Sequence, residues 1–361
     1  TEKNDLDSGF ENPVYVTQPS MPPLEEYTQL MAQLWERKWL TNDGQFHKDL
    51  EVRIAHYLGV ENMSMFCNGT IALMIALRML RLNSGEVITT PFTFAATPHT
   101  LYWNGIHPVF CDIDPKTYNL DPNRIEELIT QDTCDIMPVH VYGTPCDIDA
   151  MQEIADRHGL PVIYDAAHTF GARYRSKSIC AYGDAAILSF HATKLYSTGE
   201  GGALIVNTEA QKKRANFLKN FGFADEETII GPSINGKMNE FQAAFGLLQL
   251  DHIDDEIETE NIDRLYRDHL ADIHGITLLE EAPDIERPYV SPLGVAGTWV
   301  AGIITSVTLV FLFWNEEYRL GVYGCALWFL AGLIYFAIHA RHHMVLSPEE
   351  EFAMDHQQDR S

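Results

Sequence analysis

Several groups of residues stand where chemistry is possible. Pro161-Val162-Ile163-Tyr164-Asp165 is an apolar run that ends in a carboxylate, and Ala166-Ala167-His168 follows at once. Further on comes Ser189-Phe190-His191-Ala192-Thr193-Lys194, then Gly201-Gly202 and a second apolar run, Ala203 to Val206. Upstream, Asn68-Gly69-Thr70 opens an apolar helical stretch and Phe94 follows a strand-like one. A neutral lysine attacks an aldehyde to form a Schiff base, and desolvation or nearby cationic character supplies the neutral form. A carboxylate facing a pyridine nitrogen keeps that nitrogen protonated, so that the ring draws electrons. Glycine and threonine at a helix start offer N–H groups and a hydroxyl to a phosphate. An aromatic ring can lie against a flat cofactor. Lysine, acid, phosphate cradle and aromatic face are together what pyridoxal 5′-phosphate (PLP) chemistry requires.

Singly, each of these residues has an ordinary explanation. A lone lysine is a solvated surface residue, and an aspartate after a strand is a helix cap. Gly69-Thr70 alone is a strand-to-helix turn, and a lone phenylalanine is core. Their joint order on the strand ends of one alternating fold carries the reading.

Such a set works only if the chain can bring it together. The pattern predicts a helix over 25–35, a loop over 38–44 with Asn42-Asp43-Gly44 as turn residues, and a helix over 46–58. Strands are predicted at 63–67, 87–90, 107–112, 135–141 and 161–164. Helices at 71–82, 94–104, 123–129 and 148–158 alternate with them. This alternation predicts an α/β fold, a mostly parallel sheet covered by helices on both faces. Active sites in such sheets lie beyond the carboxyl ends of the strands. Asn68-Gly69-Thr70, Asp165 and His168 all fall there.

Composition sets outer bounds. A chain of 361 residues is long enough for two domains. Its formal charge of −26 argues against a nucleic-acid partner, whose phosphates it would repel. Six cysteines form no CxxC pair, and no His/Cys group has zinc spacing. Neither a disulfide framework nor a structural metal is expected, and a reducing compartment fits. Residues 1–20 read as an irregular arm without the apolar core of a secretory signal.

From about residue 13 to about 280 the chain resembles the DegT/StrS family of fold-type I, PLP-dependent sugar aminotransferases. The resemblance rests on Lys38-Trp39-Leu40-Thr41-Asn42, Asn68 to Leu73, Thr90 to Thr97, Met137 to Gly143, Asp165 to His168, Ser189 to Lys194, Gly201-Gly202 and Asn235 to Ala244. It implies that Lys194 carries the cofactor and shuttles a proton, while Asp165 pairs with the pyridinium nitrogen. Phe94 would stack on the ring, and His168 would sit near the phenolic oxygen. Gly69, Thr70 and Ser189 would bind the phosphate. Asn235 would reach the phosphate from the neighbouring subunit of a homodimer, and Thr41 would lie near the substrate. The implied reaction moves an amino group from glutamate to a nucleotide-linked keto-sugar, for cell-surface polysaccharide or O-antigen synthesis in the cytoplasm. Tyr15 to Pro19, Phe190 to Lys194 and Asn220 to Asp225 resemble the subgroup that makes a dTDP-linked 4-amino-4,6-dideoxyglucose.

The last part of the chain reads differently. On this reading the large domain spans 21–250 and a small domain starts at 251 and is cut short by 285. Residues 286–352 then resemble the C-terminal end of an ethanolamine-type amino-acid permease, so the chain has the pattern of a chimera. Residues 292–314 and 320–338 carry no formal charge, each near the ~20 residues that cross a bilayer core. They predict a transmembrane hairpin, with Trp314, Tyr318, Tyr335 and Arg341 near the ends of its runs, that could tether the chain to the inner membrane. Three functional readings follow: a tethered aminotransferase, a fusion that binds PLP with impaired turnover, or a membrane protein with a non-catalytic PLP fold.

Overall fold

The computed structural model describes residues 19–41, 43–225, 227–254, 257 and 285–286. The N-terminal arm (but for Pro19 and Ser20), the permease-like tail (but for Glu286) and both expected membrane runs lie outside the described residues. Among the described residues no helix is long and apolar enough to cross a membrane.

Two helices come first, α1 (Leu24–Arg37) and α2 (Gln45–Leu58). Strands β1 (Asn62–Phe66), β2 (Glu86–Thr89), β3 (His107–Phe110), β4 (Thr133–Met137) and β5 (Ile163–Asp165) follow, interleaved with α3 (Gly69–Met79), α4 (Ala96–Trp103) and α5 (Ile148–His158). A small hairpin, β6 (Arg173–Tyr174) and β7 (Lys177–Ser178), precedes β8 (Ala185–Ser189), β9 (Gly202–Val206), α6 (Glu209–Leu218) and α7 (Glu240–Asp251). The helix expected over 123–129 is instead two 3-10 turns, Pro122–Arg124 and Glu126–Leu128. Seven residues cannot repay the cost of helix nucleation, and Ile129 is already extended. The strand expected over 135–141 stops at Met137, because Pro138 has no N–H for the ladder.

The described strands form three ladders: a small one in which Ile285–Glu286 pairs antiparallel with β6 of the β6-β7 hairpin, and two larger ones, β1-β9-β8-β5 and β3-β2-β4. Parallel bridges at Ile136–Val162 and Val139–Asp165 join β4 to β5. The result is one sheet in the order β3-β2-β4-β5-β8-β9-β1. Among the described strands of this sheet only β9 runs against its neighbours, pairing antiparallel with both β8 and β1. Its first residue, Gly202, therefore lies opposite Phe66 and Ser189, at the carboxyl ends of the parallel strands.

Alternate residues of the central strands enter two cores. Ala186, Leu188, Ala203 and Ile205 join Leu50, Ile54, Met151 and Leu247 on the face covered by α2, α5 and α7. Ala185, Ile187, Leu204 and Val206 join Leu73, Leu77, Leu101 and Leu218 under α3, α4 and α6. Strands buried on both faces read as unbroken apolar runs, and each fully buried Leu, Ile or Val contributes roughly 1.5–3 kcal/mol. The ends of the helices are fixed by side chains. Asn68 accepts from Ile71 N at α3, and Thr208/Gln211 and Asn239/Gln242 form reciprocal capping boxes at α6 and α7.

Candidate active site

Asp165 ends β5 and is 5% exposed. Its backbone is held on both sides: its N–H donates to Pro138 O (2.9 Å) and its carbonyl accepts from His140 N (3.0 Å). Thr97 Oγ1 on α4 donates to its Oδ2 at 2.7 Å, and Ala167 N donates to Oδ1 at 3.2 Å. Thr97 has a single O–H, so with the carboxylate ionised Thr93, 2.7 Å away, must donate to Thr97 in turn. Burial pushes the Asp165 carboxyl up, while Thr97, the Ala167 amide and the charge of Lys194 pull it down.

Lys194 is half-buried in the loop between β8 and β9. Desolvation lowers its ammonium, and Asp165 opposes that. Buried contacts fasten the loop at both ends of the segment that carries the lysine. Fully buried Phe190 donates its N–H to Gly201 O (2.8 Å), and Tyr196 donates its hydroxyl to Gly246 O (2.9 Å). Tyr196 stacks on Phe170 at 4.3 Å between centroids. His168 is exposed at the surface, and desolvation followed by the Lys194 charge lowers its imidazole.

The turn Asn68-Gly69-Thr70 supplies the other end of the site. The Asn68 side chain satisfies Ile71 N, which leaves the first-turn N–H groups of Gly69 and Thr70 pointing out of the helix start. A Cβ on Gly69 would sit 3.0 Å from Ser189 Cβ, so the turn packs directly on Ser189. A Cβ on Gly202 would lie 2.7 Å from Asn68 C and Gly69 N. Glycine at both places lets three chain segments close around one small polar cradle. A buried acid, a desolvated lysine and an anion-binding helix start therefore fit PLP.

The structure thus brings together Lys194, Asp165 and His168, and separately Gly69, Thr70 and Ser189. Phe94 shares a turn with Thr97, whose N–H donates to Phe94 O at 3.1 Å, but its ring is 80% exposed rather than packed on protein. Asn235 is exposed, and its neighbour Gly236 accepts from Cys67 N (2.9 Å) beside the Asn68-Gly69 turn of the same chain. Thr41 is exposed on a loop tied to α7 rather than to the lysine. Residue-type reasoning missed Thr97 as a partner of Asp165, although Phe94 lies just before it in the same turn. It also missed Tyr142, whose ring lies 6.4 Å from that of His168 and 6.3 Å from that of Phe92. Tyr142 has a left-handed backbone (φ 51°), an unusual conformation for a non-glycine residue and worth noting near a site.

Comparison with known proteins gives one consistent result. Residues 24–296 match the model of the DegT/DnrJ/EryC1/StrS aminotransferase family, past the end near residue 280 that the resemblance implied. The dTDP-4-amino-4,6-dideoxy-D-glucose transaminase of Shigella dysenteriae is 52% identical over 271 residues, covering 75% of this chain and 74% of that protein. The Escherichia coli protein of the same name is 48% identical over 267 residues, covering 73% and 71%. Among solved structures, DesI in the presence of its TDP-sugar product superposes with a TM-score of 0.70 at 36% identity, over 74% of this chain and 68% of that one. 3-Amino-5-hydroxybenzoic acid synthase gives 0.70 at 28% identity, covering 76% and 74%.

Proposed function

The chain belongs to the DegT/DnrJ/EryC1/StrS aminotransferase family, and on that premise we propose that it aminates C4 of a dTDP-linked 4-keto-6-deoxy sugar, with glutamate as donor. The broader activity is PLP-dependent transamination of a nucleotide-linked keto-sugar for polysaccharide synthesis. The observation that carries the narrower reading is the 52% identity over 271 residues to a transaminase named for that sugar.

PLP, when bound, supplies a ring that takes up the electron pair left when the amino-acid Cα loses its proton. The chain's own residues do the rest. The Gly69 and Thr70 amides and Ser189 would hold the phosphate at the start of α3. Asp165, poised by burial to seek a cation, would hold the proton on the pyridine nitrogen. Lys194 is the group that, once neutral, can take the proton from Cα and return it on the other side of the transfer. Phe94 would cover the ring, and its exposure leaves that face free. Asn235 would complete the phosphate site of a partner subunit in a homodimer. The uncharged runs at 292–314 and 320–338 support a membrane-anchoring tail behind a cytoplasmic catalytic region. Carbonate extraction tests that anchor, and release of the chain into the supernatant would refute it.

The reading predicts a yellow protein. Purified chain with added PLP should show a visible absorbance band that glutamate bleaches, and Lys194→Ala should lack both the band and amino transfer. Mass spectrometry should detect the amino sugar from the dTDP-linked keto-sugar in preference to UDP- or GDP-linked ones. A wild-type preparation that stays colourless in PLP would sink the cofactor assignment.

A further inference from the structure

Glu240 opens α7 and is 1% exposed. Its carboxylate is used on backbone far away in sequence. Phe46 N donates to Oε2 (3.0 Å), His47 N donates to Oε1 (2.8 Å), and Glu240's own N–H donates to Leu40 O (3.0 Å). Phe46 and His47 lie in the first turn of α2, where N–H groups have no partner within the helix and the dipole favours negative charge. The cap position of α2 is Gly44, which has no side chain to offer, and a Cβ there would overlap the Glu240 carboxyl. Glu240 therefore caps α2 in place of a local residue. The loop before α2 is fastened at Lys38, whose N–H donates to Leu34 O (2.8 Å), at Leu40 and at Gly44. Thr41 stands exposed between these points.

Two residues further along α7, Gln242 braces the cofactor end of the site. Its Nε2 donates to Cys67 O (3.3 Å), just before the phosphate turn, and to Glu200 O, just before Gly201-Gly202. Its Oε1 accepts from Asn239 N (3.1 Å), so every hydrogen-bonding atom of the amide is engaged. One helical turn thus grips the cofactor cradle with Gln242 and the Thr41 loop with Glu240.

We propose that Glu240 is a positioning residue for the nucleotide-sugar half-reaction, holding the Thr41 loop in fixed register with the cofactor cradle. This rests on the reading that the Thr41 loop faces the sugar substrate. The keto-sugar is larger than glutamate and extends further from Lys194, so loss of register should weigh on it more.

The test is Glu240→Gln in the full PLP-loaded chain. Glutamine keeps the volume but presents an NH2 group where a backbone N–H needs an acceptor. Amide hydrogen exchange at Phe46 and His47 should accelerate while the visible band is retained. KM for the keto-sugar should rise about tenfold, and the glutamate half-reaction should fall by less than about threefold. Unchanged KM for the sugar overturns the proposal. So does an equal loss in both half-reactions, which is what simple loss of stability gives. If the Gln variant fails to fold, Glu240→Asp, one methylene shorter, reads the same split. If the wild-type chain aminates no keto-sugar, the functional reading fails by itself. Exchange confined to residues 38–47 then still supports the clamp, and unaltered exchange there overturns it.

Discussion

Asp165 is subject to opposed influences, and the balance between them is what makes it useful. Burial favours the neutral acid, while Thr97, the Ala167 amide and Lys194 favour the anion. An anion held this way gains most when a cation arrives, which a protonated pyridine supplies. Thr97→Val removes one donor at nearly constant volume. The carboxyl should then titrate at higher pH, and the acid limb of the rate profile should move up with it. A loss of about 1.5–3 kcal/mol, or roughly tenfold to a hundredfold in kcat, is expected for a hydrogen bond to a charged group. An unmoved pH–rate profile would dismiss this role. Asp135 is the contrasting case. It is fully buried, and neither of its oxygens has a partner among the described residues. Burial and then the charge of Asp184 push its carboxyl well above the usual range. The folded state keeps that proton to higher pH than the unfolded chain does. Stability is therefore fullest below the ordinary carboxylate pKa and is lost as pH rises through the raised value. Asp135→Asn should match the wild type in acid and exceed it by about 1 kcal/mol or more near neutrality, read as a Tm gap that widens with pH. A gap that stays constant would refute the assignment. That Lys194 and Asp165 come together was legible from residue type and order. The Thr97 bond spans 68 residues, and nothing in the local pattern points across that distance.

At the scale of elements, the site depends on one reversed strand. β9 enters the sheet from the end where the parallel strands finish, which sets Gly202 between Phe66 and Ser189. The α/β alternation was readable from periodicity, and α5 falls on the predicted residues 148–158. The direction of β9 was not readable. Its residues are buried on both faces, and an apolar run of that kind looks the same in either orientation. Nor did the pattern separate a seven-residue helix from the two 3-10 turns at 122–128, since both place apolar residues at similar spacing. The reversal gives Gly202 a specific load. Its backbone meets Asn68 and Gly69 with no room for a methyl group. Gly202→Ala must therefore displace the Asn68-Gly69 turn, and the neighbouring atoms are backbone, which cannot rotate away. PLP affinity should weaken by about tenfold or more, a cost of roughly 1–3 kcal/mol for overpacking. Titration of the visible band measures it, and a Kd within error of wild type would show that the cradle yields without cost.

For the whole molecule, the proposed phosphate role of Asn235 makes a prediction about assembly. Within one chain Gly236 accepts from Cys67 N, so Asn235 stands exposed close to its own Asn68-Gly69 turn. A side chain at that edge reaches a second copy's cradle only if the two turns face each other across an isologous interface, where each subunit gives what it receives. Mixing two defective chains distinguishes the arrangements. Take Lys194→Ala as one chain and Asn235→Ala as the other, each weak or inactive alone. If Asn235 crosses the interface, a mixed dimer has one site with an intact lysine on its own chain and an intact asparagine from its partner. Random reassortment then restores about a quarter of wild-type sites, because half the dimers are mixed and each has one good site of two. If Asn235 serves its own chain, every site in the mixed dimer lacks one residue or the other, and mixing restores nothing. The measurement is kcat per site after co-refolding or co-expression, alongside sedimentation to count the chains. Recovery of activity in a dimer would establish a shared site. A dimer without recovery would place Asn235 in its own subunit, and a monomer would remove the homodimer from the account.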